Sequence, residues 1–106
     1  MSYISSLTLK VADLDKFVSG WNDYGKEASL RYASDVWASQ AIMAGERAGE
    51  ISVIYHWDSI DAAMEGVVAL RNDDGIIKTL SESGSETVRR VLVRVDAERG
   101  GRNGKY

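Results

Sequence analysis

Apolar residues alternate along the first part of the chain, with Leu7, Leu9 and Val11 on one side of an extended segment and Ile4, Ser6, Thr8 and Lys10 on the other. A period of two marks a half-buried strand, and the pattern places one over residues 3–11. From Leu14 the period lengthens. Leu14, Phe17, Val18, Trp21 and Tyr24 recur three and four apart, the stripe of an amphipathic helix reaching Ala28. Asp13 stands where its carboxylate accepts the free N–H groups of the first turn, and Gly25 weakens the helix near its end. A second strand is predicted over residues 36–44. The polar segment Gly45-Glu46-Arg47-Ala48-Gly49 reads as a hairpin turn into a third strand, Ile51 to Trp57. Asp58 or Ser59 caps a second helix with Ile60, Met64, Val67, Val68 and Arg71 along one side. Asn72-Asp73-Asp74-Gly75 breaks that helix. A short helical piece around Ile76, Ile77 and Leu80 follows, then a last strand over residues 87–95.

The order β-α-β-β-α-β predicts an α+β fold of the ferredoxin-like kind: a four-stranded antiparallel sheet with helices on one face. Residues 1–97 form that domain. Residues 98–106, with three glycines and no apolar period, read as a flexible tail. Helices on one side leave the other sheet face uncovered. With odd positions turned to the helices, that face carries Ile4, Ser6, Thr8, Ile54, His56, and Leu92 between Arg90 and Arg94. The mixture is too apolar for a fully wetted surface and too polar for a dry core. A second copy packed on this face, apolar at the centre and arginine at the rim, accounts for it. A homodimer is therefore expected, with a monomer carrying a partly apolar sheet as the alternative.

The composition, 44% hydrophobic and 27% charged over 106 residues, is that of one ordinary globular domain. A net charge of −3 offers no basic patch for phosphates, so nucleic acid is not an expected partner. The chain has no cysteine and a single histidine, which removes thiolate chemistry and the usual zinc ligands. No metal and no cofactor is expected. The N-terminus lacks the basic and apolar regions of a signal peptide. No apolar run approaches the ~18 residues that span a membrane, so the expected location is cytoplasmic.

The junction Tyr55-His56-Trp57-Asp58-Ser59-Ile60-Asp61-Ala62-Ala63, with the hairpin Ala44-Gly45-Glu46-Arg47-Ala48-Gly49-Glu50 before it, resembles the dimeric α/β-barrel superfamily. That superfamily includes the antibiotic-biosynthesis monooxygenases. The likeness covers roughly residues 3–95 and implies two sheets paired in a dimeric barrel. The group also holds isomerases, cyclases and haem-degrading enzymes, so the resemblance selects no single activity. Haem-degrading members use an Asn, a Trp and a His at places that here hold Ser5, Gly66 and about Ile76. None matches, and haem degradation is not expected.

Four residues stand out as candidate chemistry. His56 is the side chain whose ordinary pKa lies nearest neutrality, hence a candidate catalytic acid or base; a hydrogen-bonded histidine inside a dimer interface is the competing reading. Trp21, Tyr24, Trp37, Tyr55 and Trp57 are numerous aromatics for a small domain, and they are candidate walls of an apolar pocket between helices and sheet. Tyr24 and Trp37, near element ends, are the candidate substrate contacts, while Trp21 and Trp57 fit the core. Arg71 stands where an apolar residue is expected, and either pairs with Glu27 or Asp74 or binds an anionic substrate. The function expected is a cofactor-independent monooxygenase or a cyclase/isomerase acting on a hydrophobic aromatic small molecule. The alternative is a non-catalytic binding or assembly module. An open cavity of a few hundred Å³ reached by His56, Tyr24 or Arg71 favours the enzyme; a space filled by Trp21 and Met64 favours the module.

Overall fold

A computed structural model describes residues 2–42 and 45–95. The chain runs through β1 (Ser2–Val11), α1 (Leu14–Gly20), a π-helical turn (Trp21–Gly25), α2 (Lys26–Leu30), β2 (Asp35–Gln40), a 3-10 turn (Gly45–Arg47), β3 (Ile51–Trp57), α3 (Ile60–Arg71), α4 (Asp74–Glu82) and β4 (Ser85–Val95). The strands form one antiparallel sheet in the order β2-β3-β1-β4. This is the expected α+β ferredoxin-like arrangement. The predicted tail, residues 98–106, lies outside the described residues.

Local signals account for most of these boundaries. The Asp13 side chain accepts from the Lys16 amide at 3.1 Å and starts α1, and Ser59 accepts from the Ala62 amide at 3.0 Å to start α3. The expected break at 72–75 is also a helix start, because Asp73 caps α4 through the Ile76 amide. The first helix does not weaken at Gly25. It passes through the π-helical turn and continues to Leu30. A β-carbon at Gly25 would sit tightly against the Trp21 ring at 3.1 Å, so the ring would have to give by a few tenths of an ångström. β2 is shorter than expected and ends at Gln40. The turn into β3 is closed by bonds between Ala41 and both Gly49 and Glu50, with positive φ at Gly45 and Gly49.

The helices all lie on one face. Leu7 and Leu9 of β1, Val36 of β2, and Ile51 and Val53 of β3 pack with Phe17, Trp21 and Leu80. A second cluster joins Trp57, Ala33, Ala63 and Leu70, with Val67 and Ile76 against it. The inward residues of β1, β2 and β3 alternate as predicted, except that β2 turns in its even position Val36, which stands opposite Tyr55.

β4 departs from the sequence reading. Residues opposite each other in an antiparallel ladder share a face. Arg90, Leu92 and Arg94 stand opposite Leu7, Ser5 and Tyr3, so they face the helices and not the open side. A bulge causes the reversal. Leu9 pairs with Thr87 but Thr8 pairs with Arg89, leaving Val88 without an opposite number. Past that extra residue the inward positions of β4 change from odd to even. The open face therefore carries Val91 and Val93, 40% and 46% exposed, beside Ile4, Ile54 and Trp37. It is more apolar than expected. Arg89 sits on this face and pairs with Glu50 at 3.8 Å. Among the described residues no helix is long and apolar enough to cross a membrane.

Candidate functional site

A cavity of about 230 Å³ opens between α3 and the β1–β4 half of the sheet. Tyr55 and Trp57, two apart on β3, project from the same side of the strand and stack with ring centroids 5.6 Å apart and planes 22° apart. Trp57 is fully buried, and its indole N–H donates to the Ser5 hydroxyl at 2.8 Å, which fixes the ring. α3 supplies the facing wall through Met64, Val67 and Arg71, and β4 supplies Arg90 and Leu92. The helix comes close because Gly66 lies directly over the six-membered ring of Trp57, where any β-carbon would collide. Ser5 and Gly66 hold the places given to Asn and Trp in the haem-degrading pattern, and here both serve the seat of Trp57.

The walls are largely apolar, and their charge has one sign. Arg71 and Arg90 line the space, and among the described residues no aspartate or glutamate does. Neither guanidinium has a hydrogen bond or ion pair with a described residue; the alternative pairing of Arg71 with Glu27 or Asp74 is not formed. Burial pushes the Tyr55 phenol above its ordinary pKa, against smaller opposing effects from the Ser29 hydroxyl and the positive charge of Arg90. At neutral pH it stays protonated. Water is partly excluded, so a charged group inside interacts more strongly than it would at the open surface.

Of the four residues singled out from sequence, Arg71 reaches this cavity. Tyr24 is engaged elsewhere: its hydroxyl donates to Asp73 at 2.7 Å, its ring lies under the Arg31 guanidinium at 5.7 Å, and Gly75 packs against it. Trp37 stands opposite Ile54 on the open face, 39% exposed. His56 is on the open face too, opposite Ile4 and Asp35, with Nδ1 2.8 Å from the Ser34 hydroxyl. That hydroxyl also donates to the His56 carbonyl at 2.9 Å. The sheet thus separates His56 from the cavity within one chain. Trp21 and Met64 do not fill the space. Trp21 borders a separate cavity of about 30 Å³ beside the π-helical turn, and Met64 is a wall of the larger one.

Sequence reasoning named Tyr55 only among the aromatics offered as pocket walls, not as a site residue, and did not select Arg90. For Tyr55 the signal was present, since it shares the inward parity of Val53 and Trp57. For Arg90 it was absent, because its face depends on the bulge at Val88.

No protein-family model matches the chain, and no curated protein matches it in sequence. Solved structures do share its fold. SnoaB, a cofactor-independent oxygenase from Streptomyces nogalater, superposes with a TM-score of 0.66 at 11% identity, over 92% of this chain and 95% of its own. A NIPSNAP family protein of unknown function from Agrobacterium tumefaciens gives 0.67 at 13% identity, over 95% and 92%. A dimeric ferredoxin-like protein from an uncultured marine organism gives 0.61 at 13%, over 91% and 98%. The resemblance to dimeric α/β-barrel proteins thus holds at the level of fold.

Proposed function

We propose that this chain binds a hydrophobic aromatic small molecule in the cavity between α3 and the β1–β4 half of the sheet, and that it works as a homodimer in the cytoplasm. The observation that carries the reading is the stacked Tyr55–Trp57 wall facing an open space of about 230 Å³. An apolar cavity of about 150 Å³ holds benzene, so this one has room for one or two fused rings. The apolar open face, with Val91, Val93, Ile4, Ile54 and Trp37, supports a second copy packed against the sheet.

The reaction assigned to the cavity is oxygenation without a cofactor, the activity named for the structurally similar SnoaB. In such chemistry the substrate supplies the electrons. A phenol such as 1-naphthol and one O₂ give 1,4-naphthoquinone and one water: one oxygen atom enters the ring, and the other leaves with the two hydrogens the ring loses. The protein contributes apolar walls, and arginine charge that favours the phenolate over the phenol. Cyclisation or isomerisation of a similar molecule would draw on the same features.

One observation favours a binding protein without turnover. Among the described residues the cavity of a single chain is lined by no imidazole and no carboxylate, and His56 lies across the sheet. The two readings separate on 1-naphthol added to the protein in air. Saturable quenching of tryptophan fluorescence, with quinone formation proportional to protein and one O₂ consumed per quinone, is the expected result. Saturable quenching without O₂ uptake selects the binding protein. Absence of saturable binding overturns both.

A further inference from the structure

We infer that the molecule held in this cavity is an anion, specifically an aromatic carboxylate, with its rings against Tyr55 and Trp57 and its charged end toward Arg71 and Arg90. The inference rests on the binding reading above and adds the ligand's charge.

Three observations carry it. The chain as a whole is acidic, with 16 aspartates and glutamates against 13 lysines and arginines, yet among the described residues the cavity wall holds two arginines and no acid. A random draw from this composition would more readily put an acid on the wall than leave it without one. Next, the arginines come from different elements, Arg71 at the end of α3 and Arg90 in β4, so their convergence is a product of the fold. Arg90 reaches this side only because the bulge at Val88 shifts the parity of its strand. Last, neither guanidinium has a hydrogen bond or ion pair with a described residue, so both are available to a ligand. A neutral arene makes no use of them. A carboxylate does, and its two oxygens suit the planar donor array of arginine.

A carboxylate suits this site better than a larger anion for reasons of space. About 230 Å³ takes one or two fused rings and a flat three-atom head.

The test compares 2-naphthoate with 2-naphthamide, which is nearly isosteric and uncharged, by fluorescence titration and calorimetry on the intact protein. The naphthoate should bind about tenfold or more tighter, the margin a charge-assisted bond to arginine supplies. In Arg71→Gln/Arg90→Gln the two probes should bind within about threefold of each other, whereas Lys78→Gln, on the exposed side of α4, should leave the preference intact. Equal affinity of the two probes for the native protein, or a preference that survives in the double variant, overturns the inference and leaves the cavity reading standing. Binding of neither probe overturns both. Should the double variant fail to fold, native protein still decides the matter: the preference must shrink as salt rises from low to high ionic strength, and a salt-independent preference counts against an ionic contact.

Discussion

Leu7 and Arg90 stand directly opposite each other across the β1–β4 ladder, a buried leucine and an exposed arginine on the same face of one sheet. Arginine accommodates both demands, since its stem can cover apolar surface while its head meets solvent or a ligand. Arg90→Met keeps the stem and should change stability by no more than about 0.5 kcal/mol. Arg90→Glu reverses the charge on the cavity wall. It should abolish 2-naphthoate binding while leaving 2-naphthamide bound, measured by titration of each variant after its melting curve establishes that it folds.

Gly66 and Trp57 form the contact that seats α3 on the sheet. A methyl group at Gly66 would overlap the outer edge of the indole six-membered ring, and neither the helix backbone nor a ring held by Ser5 yields cheaply. Gly66→Ala should therefore destabilise by about 1–3 kcal/mol, despite alanine's better helix propensity. Trp57→Phe removes the ring atoms that collide, at the cost of a smaller side chain and an unpaired Ser5. Gly66→Ala should cost much less when combined with Trp57→Phe than in the native protein. A double-mutant cycle by urea denaturation reads this coupling directly. Additive effects would mean that α3 rests on something other than this contact.

The fold was legible because each element carries a local signal: alternation in β1 and β3, helical spacing around Phe17 and Val67, and caps at Asp13 and Ser59. Two things were not local. The face of Arg90 and Leu92 depends on Val88 having no partner, which is a relation between two strands; nothing in the run Val88 to Val95 announces it. The duties of the polar side chains were hidden for a similar reason. Tyr24 has the chemistry of a ligand contact, but a partner 49 residues away takes its hydroxyl. His56, by contrast, was legible: strand parity places it on the open face, and the structure keeps it there, across the sheet from the cavity. Arg71 was visible as an arginine on an apolar stripe, and it is the candidate that reaches the cavity.

The open face makes a prediction about assembly. Val91 and Val93 are 40% and 46% exposed and share a face with Trp37, Ile54 and Ile4, so that each of the four strands contributes an apolar side chain, with Ser6 and His56 between them. Surfaces of this kind mark association sites. Light scattering should give twice the 11.6 kDa of one chain. Val91→Glu/Val93→Glu should give a single chain, because two carboxylates per copy would be buried without partners. A native protein that runs as a monomer would remove the dimer.

His56 tests whether the two faces act together. Its ring meets Ser34, whose hydroxyl keeps a second bond to the backbone carbonyl of position 56 whatever side chain is there. His56→Asn should leave the melting temperature and 1-naphthol affinity close to native, because the sheet stands between this residue and the cavity. Oxygen uptake should persist as well. Loss of turnover with binding intact would instead assign His56 to the reaction.

Tyr24 and Asp73 tie the first helical stretch to the start of α4, and their titration gives the link a pH signature. The Tyr24 hydroxyl is the largest influence holding the Asp73 carboxyl below its ordinary pKa, followed by the Ile76 amide. A carboxylate depressed in the folded state contributes stability that is present above its unfolded pKa, about 3.9. That contribution is lost as pH falls through the lower folded value. The same bond, with Asp73 as its main cause, raises the Tyr24 phenol above its ordinary value. A neutral phenol favoured by folding contributes below about pH 10 and loses that contribution as pH rises through the folded value. Tyr24→Phe should therefore be less stable than native protein across the range between these limits, with the difference shrinking at both the acid and alkaline ends. Both groups are half-buried and still reached by water, so the effect should be modest. Melting curves of the two proteins from pH 3 to 11 give the comparison. A difference that does not narrow at either end would mean that the phenylalanine variant loses packing and not this bond.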